Sequence, residues 1–238
     1  MAPPLVRLDQ VVKAYGGIRP LRVSAFALAE QERVALAGFD LASAEMFVGL
    51  VTGAALPEQG AVTIFGRKTS EIVDGEDWLG TVDRFGIVSE RVVLLDQYSV
   101  AQNVAISLTL DLDPMPAEIA AAAAVLGAEV GLTAEELATP VHATSVATRH
   151  RVRLARAVAA SPAVLLVEHP LAGVALEDVA TLAADLLRVA RGRNLGMIVL
   201  AADAAASRPF ADRVFVLNGG TGDLTEAREG LLARWFAR

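Results

Sequence analysis

The sequence predicts an α/β protein: a mainly parallel sheet flanked by helices, with an N-terminal antiparallel strand region and an inserted helical subdomain. Two observations lead to this fold class. Short apolar runs alternate with segments of helical periodicity along most of the 238 residues, which is typical of strands joined by helices. One run, Arg33–Ala37, is followed by a glycine turn and a helix, which is the frame of a phosphate-binding loop.

The first part of the chain is rich in strand patterns. Residues 5–12 alternate apolar and polar side chains, as a half-buried strand does, and residues 61–66 are rich in β-branched side chains. Acidic residues at 74–77 mark the start of a short helix. We expect strands at 5–12, Leu21–Leu28, Arg33–Ala37, 61–66 and 86–89, with a helix at about 43–52.

The middle and last parts of the chain differ in pattern. Residues 91–150 contain helical segments and no convincing strand, so we predict an inserted helical subdomain within a single domain of residues 1–238. Beyond it, continuous apolar runs predict buried parallel strands. We expect helices at 145–160, 176–191 and 226–236, and strands at 163–167, 197–201 and Arg213–Leu217, the last strand.

Composition excludes several classes of function. The net charge of −7 and the lack of a basic stripe argue against duplex nucleic acid as a partner. The absence of cysteine excludes disulfides, thiolate metal sites and cysteine nucleophiles. The N-terminus lacks the pattern of a secretory signal, and no window approaches 20 uninterrupted apolar residues. We therefore expect a cytosolic type of chain.

The phosphate-binding frame lacks the residues that give such a loop its chemistry. The pattern G-x-x-x-x-G-K-[S/T] begins at Gly38, but Ser43, Ala44 and Glu45 stand at the second glycine, the lysine and the hydroxyl position. One positive charge is lost and one negative charge is gained. A unit charge about 4 Å away is worth roughly 4 kcal/mol at an effective dielectric near 20. We expect Glu45, in the first helical turn, to satisfy the helix dipole itself.

Five ordered stretches carry a resemblance to a known family. They are 13–17 (KAYGG), 57–67 (PEQGAVTIFGR), 99–105 (SVAQNVA), 151–166 (RVRLARA and then SPAVLL) and 211–220 (ADRVFVLNGG). In this order and at these spacings they resemble the nucleotide-binding subunits of ABC transporters. The strongest likeness is at residues 151–166, and the resemblance covers nearly the whole chain. It implies a P-loop NTPase-like fold with an ABC ATPase core.

The resemblance also assigns positions to a vestigial nucleotide site. Four positions with catalytic roles in the family fall on Glu90, Glu168, His169 and Ala202, and none keeps the family's residue. Residues that would contact nucleotide are Tyr15, Gly38, Asp40, Ala42, Ser43, Ala44, Glu45 and Met46, with Ser145 left from the signature motif. With Walker A, Walker B, signature, Q-loop and H-loop residues all altered, we expect no intact catalytic motif.

At several of these positions a purely structural role competes with a functional one. Tyr15 is expected to be a packed turn aromatic rather than an adenine platform. Glu168 and His169 are adjacent at a strand end, where side chains point to opposite faces, so a structural role is favoured over a shared metal site. The arginines of helix 145–160 are expected on a solvated or ion-paired face, with Arg156 bridging subdomains.

Three functions remain as hypotheses. The first is a catalytically degenerate ABC-type subunit that is not an enzyme and has no metal and no cofactor, or at most weakly bound ATP. It would act, as a homo- or heterodimer, as scaffold or regulatory partner of a permease or an active ATPase subunit, on the inner face of the cell membrane. The second is a functional ABC ATP-binding protein that binds ATP and hydrolyses it slowly. The third, weaker one is a metal-dependent hydrolase using Glu168, His169 and His142.

Overall fold

A computed structural model describes residues 3–227, excluding the side chains of 205, 207 and 208. Its strands form a single ten-stranded sheet in the order β5-β4-β1-β2-β10-β9-β3-β8-β7-β6. The strands are β1 Val6–Lys13, β2 Leu21–Leu28, β3 Arg33–Ala37, β4 Gln59–Ile64, β5 Arg67–Lys68, β6 Phe85–Val88, β7 Val164–Glu168, β8 Gly196–Ala201, β9 Arg213–Leu217 and β10 Asp223–Glu226.

Eight α-helices join or cover these strands within residues 3–227. Four lie in or next to the segment 91–150, and the long amphipathic helix α7 follows β7. The helices are α1 Leu41–Thr52, α2 Gly75–Val82, α3 Val100–Ala105, α4 Ala117–Glu129, α5 Ala134–Ala138, α6 Val146–Ala159, α7 Leu176–Gly192 and α8 Ala204–Ser207. None of them has both the length and the hydrophobicity needed to cross a membrane.

The sheet has a parallel half and an antiparallel half. Strands β9, β3, β8, β7 and β6 pair in parallel, whereas β1 pairs antiparallel with both β2 and β4. The carboxyl ends of β3, β8, β7 and β6 therefore meet at one edge, which we call the carboxyl edge. This confirms the predicted mainly parallel sheet with an N-terminal antiparallel region, and ligands of such sheets bind at that edge.

Two large hydrophobic cores hold the layers together within residues 3–227. One packs α1 against the sheet, where Phe47 meets Phe26 and Phe39 edge-on at ring centroid distances of 5.6 Å and 5.8 Å. The other joins α3, α4, α6 and α7 to β7 and β8, through side chains such as Leu154 and Leu186. Helices of the segment 91–150 thus share a core with the sheet, and the boundaries of a separate subdomain there stay a prediction.

The end of the chain differs from the prediction. Arg213–Leu217 is not the last strand, because β10 (Asp223–Glu226) pairs antiparallel with β9 and parallel with β2. Glu226, predicted to begin a closing helix, is the last residue of β10. The rest of that predicted helix, from 228 onward, lies outside the described residues.

Candidate functional site

The carboxyl edge brings together most of the positions singled out from the sequence. Gly38 follows β3, Glu90 follows β6, Glu168 ends β7, and Ala202 follows β8. These four strands are neighbours in the sheet, so residues far apart in sequence become adjacent. The edge is therefore the candidate site.

A glycine is needed at the turn that opens the site. Gly38 has a φ of +82°, and a Cβ there would lie 2.7 Å from the carbonyl oxygen of Leu217. The following residue, Phe39, donates its backbone N–H to the carbonyl of Ala201 over 3.1 Å. The turn is thus fastened to the end of β8 and leads directly into α1.

The N-terminus of α1 is capped by a carboxylate from the chain itself. Asp40 accepts hydrogen bonds from the backbone N–H and the hydroxyl of Ser43, over 2.8 Å and 2.6 Å. These bonds lower the pKa of Asp40 below its ordinary value, the hydroxyl contributing most. Asp40 therefore neutralises the positive end of the helix dipole.

This cap corrects two expectations about the loop. The helix begins at Leu41 rather than at about 43, so only residues 38–40 separate β3 from α1. Glu45 does not lie in the first helical turn, which holds no acidic residue, and it does not satisfy the dipole. Residues from Leu41 onward, which a phosphate-binding loop would wrap around its ligand, are already helical.

The residues at the lysine and neighbouring positions lie in different surroundings. Ala44 is fully buried in the core beneath α1, and Ser43 is buried as well. A lysine at 44 would have to leave this core, because an unpaired ammonium is costly to bury. Ala42 is exposed, and Met46 is half-buried against the same core.

An arginine that the sequence prediction missed connects two of the predicted carboxylates. Arg91 donates from Nη1 to Oε1 of Glu45 over 3.0 Å. Its Nε donates to Oε2 of Glu168 over 3.3 Å, and its Nη2 donates to Oε1 of the same carboxylate. The guanidinium therefore lies between the end of β7 and α1, with a bidentate contact on the Glu168 side.

The carboxylate of Glu168 depends on this contact. Its side chain is 4% exposed, whereas that of Glu45 is 62% exposed. Burial acts to lower the pKa of Arg91, but hydrogen bonds and the charges of the two glutamates outweigh it, so the pKa is raised. We call these three residues, Glu45, Arg91 and Glu168, the arginine clamp.

The segment 89–93 that carries Arg91 is also held from α6. Arg153 donates from Nε to the carbonyl of Val92 over 3.2 Å, and Arg156 donates from Nη1 to the carbonyl of Val93 over 2.9 Å. Glu90, the predicted phosphate-sensing position, is exposed in this segment.

The arginines of α6 do not form the solvated face that was expected. Arg149, Arg153 and Arg156 are only partly exposed, and Arg149 donates to the carbonyl of Thr144 over 2.8 Å. Arg151 is buried and pairs with Asp185 of α7 over 2.8 Å. The ion-paired alternative holds for Arg151, while the other three bind backbone carbonyls.

His169 and Ala202 line a small cavity, and no residue of the arginine clamp contributes to its wall. Its volume is about 140 Å³, and Asp203 also contributes to its wall. His169 has a φ of +46°, and its buried Nε2 has no hydrogen-bond partner among the described residues. Glu168 and His169 therefore lie in different surroundings: Glu168 binds Arg91, whereas His169 lines this cavity. Within residues 3–227 no group of three or more potential metal ligands is assembled, so the metal-hydrolase hypothesis finds no site there.

The two remaining predicted positions have evident packing roles. Ser145 caps α6 by accepting from the backbone N–H of Thr148 over 3.1 Å. Tyr15 is half-buried, and a Cβ at Gly17 would lie 2.7 Å from its ring. Burial raises the pKa of Tyr15, and the charge of Asp40 raises it further. Tyr15 thus lies close enough to the capped turn to feel its charge.

Comparison with protein families and curated proteins places the chain among transport components. The family model described as ABC transporter matches residues 21–172. The methionine import ATP-binding protein MetN of Brucella abortus is 28% identical over 235 residues, covering 98% of this chain and 62% of that protein. The phosphonates import ATP-binding protein PhnC of Anaeromyxobacter dehalogenans is 28% identical over 250 residues, covering 95% and 49%. The chain therefore spans less than two thirds of these relatives.

Solved structures show the same fold at lower identity. A dimeric ATP-binding cassette in a post-hydrolysis state, bound to ADP and Pi, matches with a TM-score of 0.74 and 20% identity, covering 94% of this chain and 98% of the other. The cbiO1 protein of Clostridium perfringens, part of the ABC transporter complex cbiONQ, matches with a TM-score of 0.78 and 18% identity, covering 98% and 94%.

Proposed function

The chain belongs to the ABC transporter family, and from that premise we propose that it is an ATP-binding-type subunit with a catalytically degenerate site. In this proposal it is a scaffold or regulatory partner of a membrane permease, an active ATPase subunit, or both. It would then sit peripherally on the inner face of the cell membrane through the permease. The similarity to import ATP-binding proteins supports the transporter class.

One observation carries the degenerate version of this function: the carboxylate cap on α1. A phosphate group binds a helix N-terminus through free N–H groups and the positive end of the dipole. Here Asp40 already accepts the N–H of Ser43 over 2.8 Å. An incoming phosphate would have to displace a carboxylate and would be repelled by it.

The fit of Mg²⁺ to these residues argues in the same direction. In P-loop NTPases the ion is held by the P-loop hydroxyl residue and the Walker B aspartate. By the resemblance those positions are Glu45 and Glu168, and both are bound by Arg91. Mg²⁺ would therefore have to displace a guanidinium that both carboxylates already bind.

A functional ATP-binding protein is the second candidate, and the comparisons favour it more directly than the degenerate version. The relatives that match across 98% and 95% of this chain are described as import ATP-binding proteins. Tyr15 lies near the capped turn, where its ring would have to meet an adenine. His169, which stands at one of the family's catalytic positions, would have to act as the base.

Nucleotide titration distinguishes the two candidates. Ligand that binds the folded state alone stabilises it by about 2.7 kcal/mol at 100 times its Kd. The degenerate version predicts no shift of Tm with millimolar Mg-ATP and no turnover above background. A saturable shift with turnover would contradict it and support the second candidate. In that case Tyr15→Leu should reduce the shift, measured against the variant's own Tm without nucleotide.

The partner part of the proposal needs its own measurement. Tagged chain, isolated from detergent-solubilised membranes of its native cell, should retain a permease or a second ATP-binding subunit in a fixed ratio. Recovery of the chain with neither class of protein would contradict the scaffold role, whatever the nucleotide titration gives.

A further inference from the structure

The arginine clamp connects three elements of the carboxyl edge through one side chain. Glu45 lies on α1, Glu168 ends β7, and Arg91 lies in the segment after β6. One guanidinium contacts both carboxylates with different nitrogen atoms, Nη1 on one side and Nε with Nη2 on the other. The cation therefore bridges the two acids rather than pairing with one of them.

The buried acid makes this cation necessary. The side chain of Glu168 is 4% exposed, and an ionised carboxylate with so little access to water needs a compensating charge. Bidentate pairing with a guanidinium is among the stronger ways to supply it. Without Arg91, two carboxylates would face the same space, and divalent cations such as Mg²⁺ and Mn²⁺ favour carboxylate ligands.

We propose that Arg91 is a built-in substitute for a divalent cation, fixing α1, segment 89–93 and the end of β7 together in the absence of any ligand. This inference rests on the proposed function, because it explains how the site keeps its arrangement without nucleotide. The same segment is bound from the other side by Arg153 and Arg156 at the carbonyls of Val92 and Val93. The clamp thus ties the sheet edge to α6 through a single short segment.

If Arg91 substitutes for a divalent cation, a variant without the guanidinium should be stabilised by such a cation. In Arg91→Met, Glu168 is left buried without its partner, and we expect the Tm to fall by roughly 5–10 °C. Millimolar Mn²⁺ should recover about half of that loss, while the wild-type chain should show no Mn²⁺ response. The readout is thermal unfolding without nucleotide, so its outcome is independent of whether the wild-type chain binds Mg-ATP.

Two further variants separate a cation role from general packing. Arg91→Lys keeps the charge but loses the fork, so we expect a smaller fall in Tm and no recovery by Mn²⁺. The triple variant Arg91→Met, Glu45→Gln, Glu168→Gln removes the acids as well, and it should be more stable than Arg91→Met and indifferent to Mn²⁺. If Arg91→Met does not fold in buffer, folding on addition of Mn²⁺ is the expected result.

Three outcomes would overturn the proposal. The first is an Arg91→Met variant as stable as the wild-type chain, because the clamp would then hold nothing. The second is a destabilised or unfolded Arg91→Met variant that Mn²⁺ does not improve at all. The third is an equal Mn²⁺ response in the triple variant, because the two carboxylates would then not be the ligands.

Discussion

Acid should destabilise this chain through one buried histidine. His150 of α6 is 2% exposed, and burial lowers its pKa from 6.5 to about 4. The positive charge of Arg153 acts in the same direction, and so does that of Arg149 more weakly, whereas the negative charge of Glu90 opposes them. The folded state therefore holds a neutral imidazole beside the segment that carries the arginine clamp.

The sign and size of the effect follow from the two pKa values. Because the folded pKa is lower than the unfolded one, the unfolded chain binds the proton more tightly. The contribution of the neutral His150 is fully present above pH 6.5 and is lost as the pH falls to about 4. Each pH unit of this interval is worth about 1.4 kcal/mol, so the loss amounts to about 3 kcal/mol.

Urea unfolding of matched variants between about pH 7 and about pH 4.5 tests this estimate. In His150→Gln the residue no longer titrates, so its free energy of unfolding should fall less steeply in acid than that of the wild-type chain. His142→Gln, at an exposed histidine, serves as the control and should keep the wild-type slope. If the difference between wild type and His150→Gln stays constant across this range, His150 is not held neutral and the reasoning fails.

Two further predictions test the cap of α1 and a buried ion pair between α6 and α7. Asp40→Ala removes the carboxylate that accepts from Ser43 and should lower the free energy of unfolding by about 1 kcal/mol in urea titrations. Asp40→Asn should lose only a fraction of that. Equal losses in the two variants would contradict a capping role for Asp40. Arg151→Met leaves Asp185 of α7 buried with only the exposed Arg188 as partner, and it should lower the free energy of unfolding by about 3 kcal/mol. Adding Asp185→Leu should recover much of this loss. If the losses of the two single variants simply add, the two residues do not act as a pair.

Much of the fold could be predicted because most strands carry a clear hydrophobic pattern. The ranges Leu21–Leu28, Arg33–Ala37 and Arg213–Leu217 agree with β2, β3 and β9, since both alternating and continuous apolar residues leave a strong signal. The strand β10 was missed for the opposite reason. Its four residues, Asp223–Glu226, are mostly polar, and it joins the sheet through main-chain pairing with β2 and β9, which leaves no hydrophobic signal.

The side-chain partners of the site were harder to predict than its location. The parallel strands β3, β7 and β8 bring Gly38, Glu168 and Ala202 to one edge, and a mainly parallel sheet was predicted from the sequence. Arg91, in contrast, contacts residues 46 and 77 positions away, and no local pattern distinguishes it from any other loop arginine. A usable signal existed in principle: two acids without cations at the ends of buried elements require a positive partner.

The helix α6 shows a second limit of the sequence argument. Arg149, Arg153 and Arg156 follow one face at helical spacing, which favoured a solvated stripe. They bind carbonyls of neighbouring loops instead. Arginine has five donors and a long apolar stem, so a stripe of this type stabilises irregular backbone as readily as it faces water.

Three negative charges at the carboxyl edge have partners, and this bears on both functional candidates. Asp40 is paired with the N-terminus of α1, and Glu45 and Glu168 are paired with Arg91. If Mg-ATP binds at the positions that the resemblance implies, it would have to displace Arg91 from Glu168 and Asp40 from Ser43. Binding would therefore be coupled to release of segment 89–93, so a nucleotide-dependent Tm shift without a change in hydrogen exchange there would place the nucleotide elsewhere.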